Sequence, residues 1–161
     1  MQTRAILWAA MLALLLDQVS KYVVVHAMGL SRVGAIDVWP PILNFRYGEN
    51  RGVNFGLFDG ASDTQRWVLV GFSLLVIAVI YVWIRRTRPP LLIRISGGLL
   101  IGGALGNVVD RVIYGYVLDF LNMSCCGIDN PFVFNVADIA IFAGALGLVF
   151  LDAGGDRKKA T

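Results

Sequence analysis

The stretch WVLVGFSLLVIAVIYVWI, Trp67 to Ile84, holds no charged side chain and ends directly on Arg85-Arg86-Thr87-Arg88. A helix needs roughly 20 apolar residues, with a tolerance of about 17 to 25, to cross a hydrocarbon core. This stretch therefore reads as a membrane span closed by a basic turn. Three others have similar length and character: Ala5 to Val25, Leu91 to Val109 and Phe132 to Leu151. Leu91 to Val109 carries only Arg94, near one end where a long side chain can snorkel. The first stretch opens like a secretory leader, with Arg4 before an apolar run, but no small-x-small cleavage site follows. Asp17, Gln18 and Lys21 come instead, so it reads as a retained helix with its polar residues facing inward. The expected fold class is an all-α membrane protein of four transmembrane helices, at about residues 5–25, 67–84, 91–109 and 132–151.

Composition agrees, since 57% of the 161 residues are hydrophobic and only 16% charged, which excludes an ordinary soluble domain. No linker or internal repeat divides the chain, so residues 1–161 are expected to form one domain. The formal charge of +3 does not point to nucleic acid, because the basic residues sit beside apolar runs and are not interleaved with aromatics on a polar stripe. They point to membrane orientation. Arg4, then Arg85, Arg86, Arg88 and Arg94, then Arg157, Lys158 and Lys159 fall on one side when the helices alternate. In the opposite loop, Arg32, Arg46, Arg51 and Arg66 are balanced by Asp37, Glu49, Asp59 and Asp63. The positive-inside rule makes the first side cytoplasmic, with both termini, and puts the loops 26–66 and 110–131 outside.

Within the first outer loop, Ile36 to Trp39 and Leu43 to Glu49 read as short strands separated by Pro40-Pro41, followed by the glycine-containing stretch Gly48 to Gly60. Two readings stay open. One is a small β-containing region on the membrane surface, with Trp39, Phe45, Tyr47, Phe55 and Phe58 at headgroup level. The other is a loop that dips into the interface and has no part in substrate handling.

Ionisable groups in or beside a bilayer are costly, so each calls for a reason. Asp17 and Lys21 have the i, i+4 spacing of a helix-face ion pair, acid first, which is either a structural tether or part of the chemistry. Asn107, Asp110 and Arg111 share one face at the outer end of the third helix. Polar scaffolding is the simpler reading for Asn107 and Arg111, since a guanidinium cannot serve as a base and suits a backbone or lipid phosphate. Asp119 lies between Leu118 and Phe120, apolar neighbours that should raise its pKa. Asp138 follows Asn135 by three residues, a spacing that also reads as a helix N-cap. Topology brings both acids to the outer boundary. Two close carboxylates cannot both ionise fully, so one keeps a proton while the other is a base, the arrangement that activates water and protonates a leaving amine.

Other hydrolytic chemistries find little footing. His26 is the only histidine, and neither G-x-S-x-G nor H-E-x-x-H occurs. Cys125 and Cys126 are sequence neighbours, a strained geometry for a disulfide, and two thiols alone make a poor metal site.

Five ordered motifs carry a resemblance over nearly the whole chain: Asp17-Gln18-Val19-Ser20-Lys21, the N-x-G-x-x-F run from Asn50 to Phe55, GNVVDR from Gly106 to Arg111, Val117-Leu118-Asp119-Phe120, and Phe134-Asn135-Val136-Ala137-Asp138. Together they resemble lipoprotein signal peptidase, or signal peptidase II, the aspartic peptidase of bacterial membranes. The resemblance implies Asp119 and Asp138 as the catalytic dyad. It also implies Asp17, Lys21, Asn50, Gly52, Asn107, Asp110, Arg111 and Asn135 as substrate-binding or dyad-supporting positions. The family usually has Asn-Thr-Gly-Ala-Ala-Phe where this chain has Asn50-Arg51-Gly52-Val53-Asn54-Phe55, a bulkier and more polar lip.

The implied reaction is removal of the signal peptide from a prolipoprotein, before a cysteine that already carries a diacylglyceryl group. It needs no metal and no organic cofactor. The expected partners are those substrates and membrane lipid, with no nucleic acid, and the expected state is a monomer in the bacterial cytoplasmic (inner) membrane. A small ion or proton transporter is the rival reading, and it calls for acids spread through the bilayer depth. A non-catalytic scaffold for lipoprotein assembly is a third, and it leaves the acid pair unexplained.

Overall fold

The computed structural model describes residues 2–52, 63–125 and 130–157. Helix α1 (Gln2–Lys21) continues into a π-helical segment, Tyr22–Ala27, and a short α2 (Leu30–Val33). Strands β1 (Ala35–Trp39) and β2 (Leu43–Asn50) follow, then helices α3 (Asp63–Thr87) and α4 (Leu91–Tyr114). Strand β3 (Val117–Asn122) and helix α5 (Val136–Arg157) complete the order. Among the described residues, three helical segments are long and apolar enough to cross a membrane: Thr3–Ala27, Asp63–Thr87 and Leu91–Tyr114. The fourth apolar stretch forms a shorter apolar segment, Val136–Leu151, within α5. It begins later than residue 132, because Phe134 is held extended by hydrogen bonds with Phe120 and Leu121.

Helix α4 is the hub, and its glycines explain how. Apolar side chains gain nothing by leaving lipid for a helix interface, so membrane helices associate through close backbone approach at small residues. Any side chain at Gly102 would collide with the carbonyl oxygen of Ala10 on α1, and one at Gly97 would collide with Ile84 on α3. A Cβ at Gly103 would lie 2.5 Å from the carbonyl oxygen of Ala137 on α5. Three faces of one helix thus receive three neighbours. By contrast α3 buries only Val70 and Ile84, and leaves Trp67, Val68, Phe72, Leu75 and Val79 exposed, an apolar face suited to lipid. At the basic end, Arg85 at the foot of α3 donates to Thr3 Oγ1 at the start of α1 (2.9 Å), which brings Arg4, Arg85, Arg86 and Arg88 to one end of the bundle.

The other end carries an antiparallel sheet in the order β1-β2-β3. Ile36 faces Phe45 across the first pair, and Gly48 faces Asp119 across the second. Both strands expected in the first loop are present, so the sheet reading holds. β3 was expected only as loop. Phe45 and Tyr47 are partly buried. They pack inward on a core of Val24, Val25, Leu30, Leu118 and Phe120, where Phe45 meets Phe120 edge-on with ring centroids 5.8 Å apart. Trp39 is exposed, whereas Phe55 and Phe58 lie outside the described residues. The π-helical segment contributes its buried Val24 and Val25 to this core.

Candidate active site

Asp119 sits in the middle of β3 and is only 3% exposed. Asp138 sits half-buried in the first turn of α5. Asn135 joins the two. Its Nδ2 donates to Asp119 Oδ1 at 2.5 Å, while its Oδ1 accepts the backbone N–H of Asp138 at 2.9 Å and its own N–H donates to Asp138 Oδ2 at 3.3 Å. The last two bonds form a reciprocal capping box that satisfies N–H groups left without partners at the helix start. Asp138 is therefore a capping residue, as its spacing allows, and is also placed in electrostatic contact with Asp119.

Burial is the main cause that raises the Asp119 carboxyl, to about 6 from an ordinary 3.8, and the negative charge of Asp138 adds to it. Hydrogen bonds from Asn135 and Asn50 and the charge of Lys21 oppose the rise. The expected rise is present but is caused by burial of the site and by Asp138, since Leu118 and Phe120 flank Asp119 in a strand and face the opposite side, in the core. Asn107 Nδ2 donates to Asp138 Oδ1 at 3.0 Å, and Asn107 Oδ1 accepts from Asn135 at 3.3 Å. Arg111 lies one turn further on, within electrostatic reach of Asp138, Asp110 and Asp119, and donates to the carbonyl oxygen of Asn107 at 3.3 Å.

Asn50, at the end of β2, hydrogen-bonds with Asp119 and also accepts the N–H of Gly52 at 3.0 Å. Gly52 has φ of 97°, and a Cβ there would come within 2.6 Å of Leu69 Cδ1, so both conformation and space require glycine. Arg51 pairs with Glu49 at 2.7 Å and lies over the Tyr116 ring at 5.1 Å, an exposed charged lip beside the site. Val53, Asn54 and Phe55 of that motif lie outside the described residues, as do Cys126 and the tail lysines.

Asp17, Lys21 and Asp110 stand apart from the carboxylate pair. Lys21 Nζ lies 2.8 Å from Asp17 Oδ2 and 2.7 Å from Asp110 Oδ2, with all three side chains almost wholly buried. The structural reading of Asp17 and Lys21 fits this, and Asp110 turns from Asn107 and Arg111 toward α1. Gln18 completes the set with hydrogen bonds to Asp17 and Asp110 at 3.1 and 3.0 Å. Gln18 faces inward as its place beside Asp17 and Lys21 in the sequence implies, but it is not among the site residues expected from the sequence. Among the described residues no group of acidic, histidine or cysteine side chains could hold a metal ion.

The profile of the family described as signal peptidase (SPase) II matches residues 9–153. The chain belongs to the signal peptidase II family. It is 39% identical over 155 residues to a lipoprotein signal peptidase of Alteromonas mediterranea, covering 95% of this chain and 83% of that one. It is 41% identical over 145 residues to a lipoprotein signal peptidase of Caulobacter vibrioides, covering 89% and 83%. A solved bacterial membrane enzyme, determined by the in meso method at 2.3 Å resolution, superposes with a TM-score of 0.78 at 26% identity over 97% of this chain and 91% of that one. As a signal peptidase II the chain is a membrane peptidase, and its exposed apolar helices fit that setting.

Proposed function

We propose that this signal peptidase II removes the signal peptide from prolipoproteins before a diacylglyceryl-modified cysteine, with Asp119 and Asp138 as an aspartic dyad. The observation that carries the reading is the pairing of a buried Asp119, whose pKa is raised, with a more accessible Asp138 through Asn135. Asp138 takes a proton from the attacking water. Asp119 gives its proton to the scissile carbonyl as a gem-diol forms; on its collapse Asp138 passes the proton taken from water to the leaving amine, and a diol hydroxyl returns one to Asp119. Asn50, Gly52, Asn107, Arg111 and Asn135 orient the substrate and the dyad, and Asp17, Lys21 and Asp110 support them. The reaction proceeds with no metal or organic cofactor.

The chain works as a monomeric single domain, residues 1–161, in the bacterial inner membrane. Four crossings are proposed, with α5 as the fourth. Its apolar run Val136–Leu151 gives roughly 24 Å at about 1.5 Å per residue, a mismatch with a core of about 30 Å that local thinning of the bilayer absorbs. Its Gly144 and Gly147 pack on Ser96 near the basic end of α4, while Ala137 packs on Gly103 nearer the sheet, so the two helices share the same depth. The basic end faces the cytoplasm, with both termini. The site then lies at the outer face, where the acyl chains of a substrate stay in the bilayer while its scissile amide reaches the dyad.

The test is cleavage of a synthetic peptide with and without a diacylglyceryl cysteine by the purified protein in detergent. Cleavage before the lipidated cysteine, lost in Asp119→Asn and in Asp138→Asn, is expected. Undiminished cleavage by both folded variants would sink the dyad.

A further inference from the structure

Both acids of the Asp17–Lys21–Asp110 cluster reach past the lysine to the backbone that carries the dyad. Asp17 Oδ1 accepts the N–H of Ala137 at 2.9 Å, the residue directly before Asp138. Asp110 Oδ2 accepts the N–H of Leu118 at 3.0 Å, the residue directly before Asp119. Ala137 and Leu118 are themselves 0% and 2% exposed. One ammonium, 2.8 and 2.7 Å from the two carboxylates, therefore links the start of α5 to the middle of β3 through side chains of α1 and α4.

We propose that Asp17, Lys21 and Asp110 form a positioning clamp that sets the separation and aim of Asp119 and Asp138, an inference that rests on the dyad reading above. Consecutive Cα atoms are fixed about 3.8 Å apart, so holding the N–H of one residue places the next. Hydrogen bonds to ionised acceptors are short and strong, and they hold best where water is excluded. At Ala137 the bond also uses an N–H near a helix start, where a negative charge is favoured. A buried ion cluster is a poor source of net stability, since apolar replacements often do as well. What such replacements lack is a charged acceptor for two defined N–H groups. Gly106 completes the device: a Cβ there would lie 2.5 Å from Asp17 Oδ2, so only glycine leaves the carboxylate its place.

The test uses the full-length protein and compares Asp110→Asn, Asp17→Asn and Gly106→Ala, the last of which retains every charge but crowds Asp17. Each is measured per folded molecule, with the folded fraction taken from thermal unfolding and size exclusion. The expected result is a fall in kcat of about 10²-fold, as for a misplacement near 1 Å, with KM for the lipidated peptide nearly unchanged and the pH profile of kcat/KM displaced. Wild-type kcat and pH profile in the folded fraction of these variants would overturn the clamp, as would failure of all three to give any folded protein, which would make the cluster a folding determinant only. Inactive Asp119→Asn and Asp138→Asn beside a wild-type-like Asp110→Asn removes the clamp and leaves the dyad intact. Active dyad variants remove the reading on which the clamp rests.

Discussion

Asn135 holds Asp119 Oδ1 by its side-chain N–H at 2.5 Å while it caps the helix that carries Asp138. One short side chain thus serves α5 as an N-cap and Asp119 as a hydrogen-bond donor, so its two roles should separate on substitution. Asn135→Ala removes a bond that lowers the Asp119 pKa, and burial and the Asp138 charge then push it further above about 6. The alkaline limb of kcat/KM should move to higher pH, because the proton-bearing form of Asp119 persists longer. The lost cap should cost about 0.5–2 kcal/mol in thermal unfolding. A lower stability with an unmoved pH profile would reduce Asn135 to a cap.

The two acids should behave as one unit. Asp119→Asn and Asp138→Asn each leave size and some hydrogen bonding intact but remove the shared proton. Each alone should nearly abolish turnover, and the double variant should be little worse than either. Roughly additive losses would describe two independent structural acids. Wild-type cleavage should follow a bell-shaped pH dependence with two macroscopic constants that belong to the pair, and it should withstand chelators, serine reagents and thiol reagents.

Asp119 should also cost the fold stability at neutral pH. Its folded pKa of about 6 lies above its ordinary 3.8, so its contribution is fully favourable below about 3.8 and is lost as pH rises through about 6. The difference corresponds to on the order of 3 kcal/mol at pH 7 and above. Asp119→Asn removes that ionisation and keeps an oxygen for Asn135. The variant should melt above the wild type at pH 7 to 8, and the gap should close below pH 4. Equal melting temperatures across that range would show that its surroundings do not raise the Asp119 pKa.

The helices were legible because α3 and α4 announce themselves by length and lack of charge, and β1 and β2 by the apolar runs on either side of Pro40-Pro41. β3 was not, because Val117 to Asn122 is buried on both faces except at Leu121 and so shows no alternation to read. Nor was the π-helical segment, since Tyr22 to Ala27 looks like more of the same helix. In the site, Asp119, Asp138 and Asn135 carried their own chemical signals. The bonds from Leu118 and Ala137 did not, because the donors are backbone N–H groups that any residue supplies. Their importance comes from the acceptors reaching them, and that is a property of how α1 and α4 cross.

Orientation can be checked by labelling. In a background with Cys125→Ser and Cys126→Ser, an exposed cysteine in place of Asp37 in β1 should react with an impermeant reagent added outside the cell, and one in place of Thr87 should not. Outside reactivity at residue 87 would reverse the bundle and place the dyad on the cytoplasmic face.

Lys21 offers the sharpest separation of charge from geometry. Its ammonium is the shared partner of two buried carboxylates, and the surrounding donors, Gln18 and the N–H groups of Leu118 and Ala137, are neutral. Lys21→Met leaves both acids uncompensated in a dry site, which should cost about 3–5 kcal/mol and remove most of the folded protein. Adding Asp17→Asn and Asp110→Asn takes away the unpaired charge, so folding in detergent should largely return. Turnover should not, because a neutral amide holds the Leu118 and Ala137 N–H groups less firmly and no longer through a common cation. The comparison is the folded yield of the single and triple variants, followed by kcat per folded molecule. A Lys21→Met protein as stable as the wild type would mean that the acids are neutral without their partner. A triple variant with wild-type kcat would mean that the dyad finds its geometry from the sheet and helix alone.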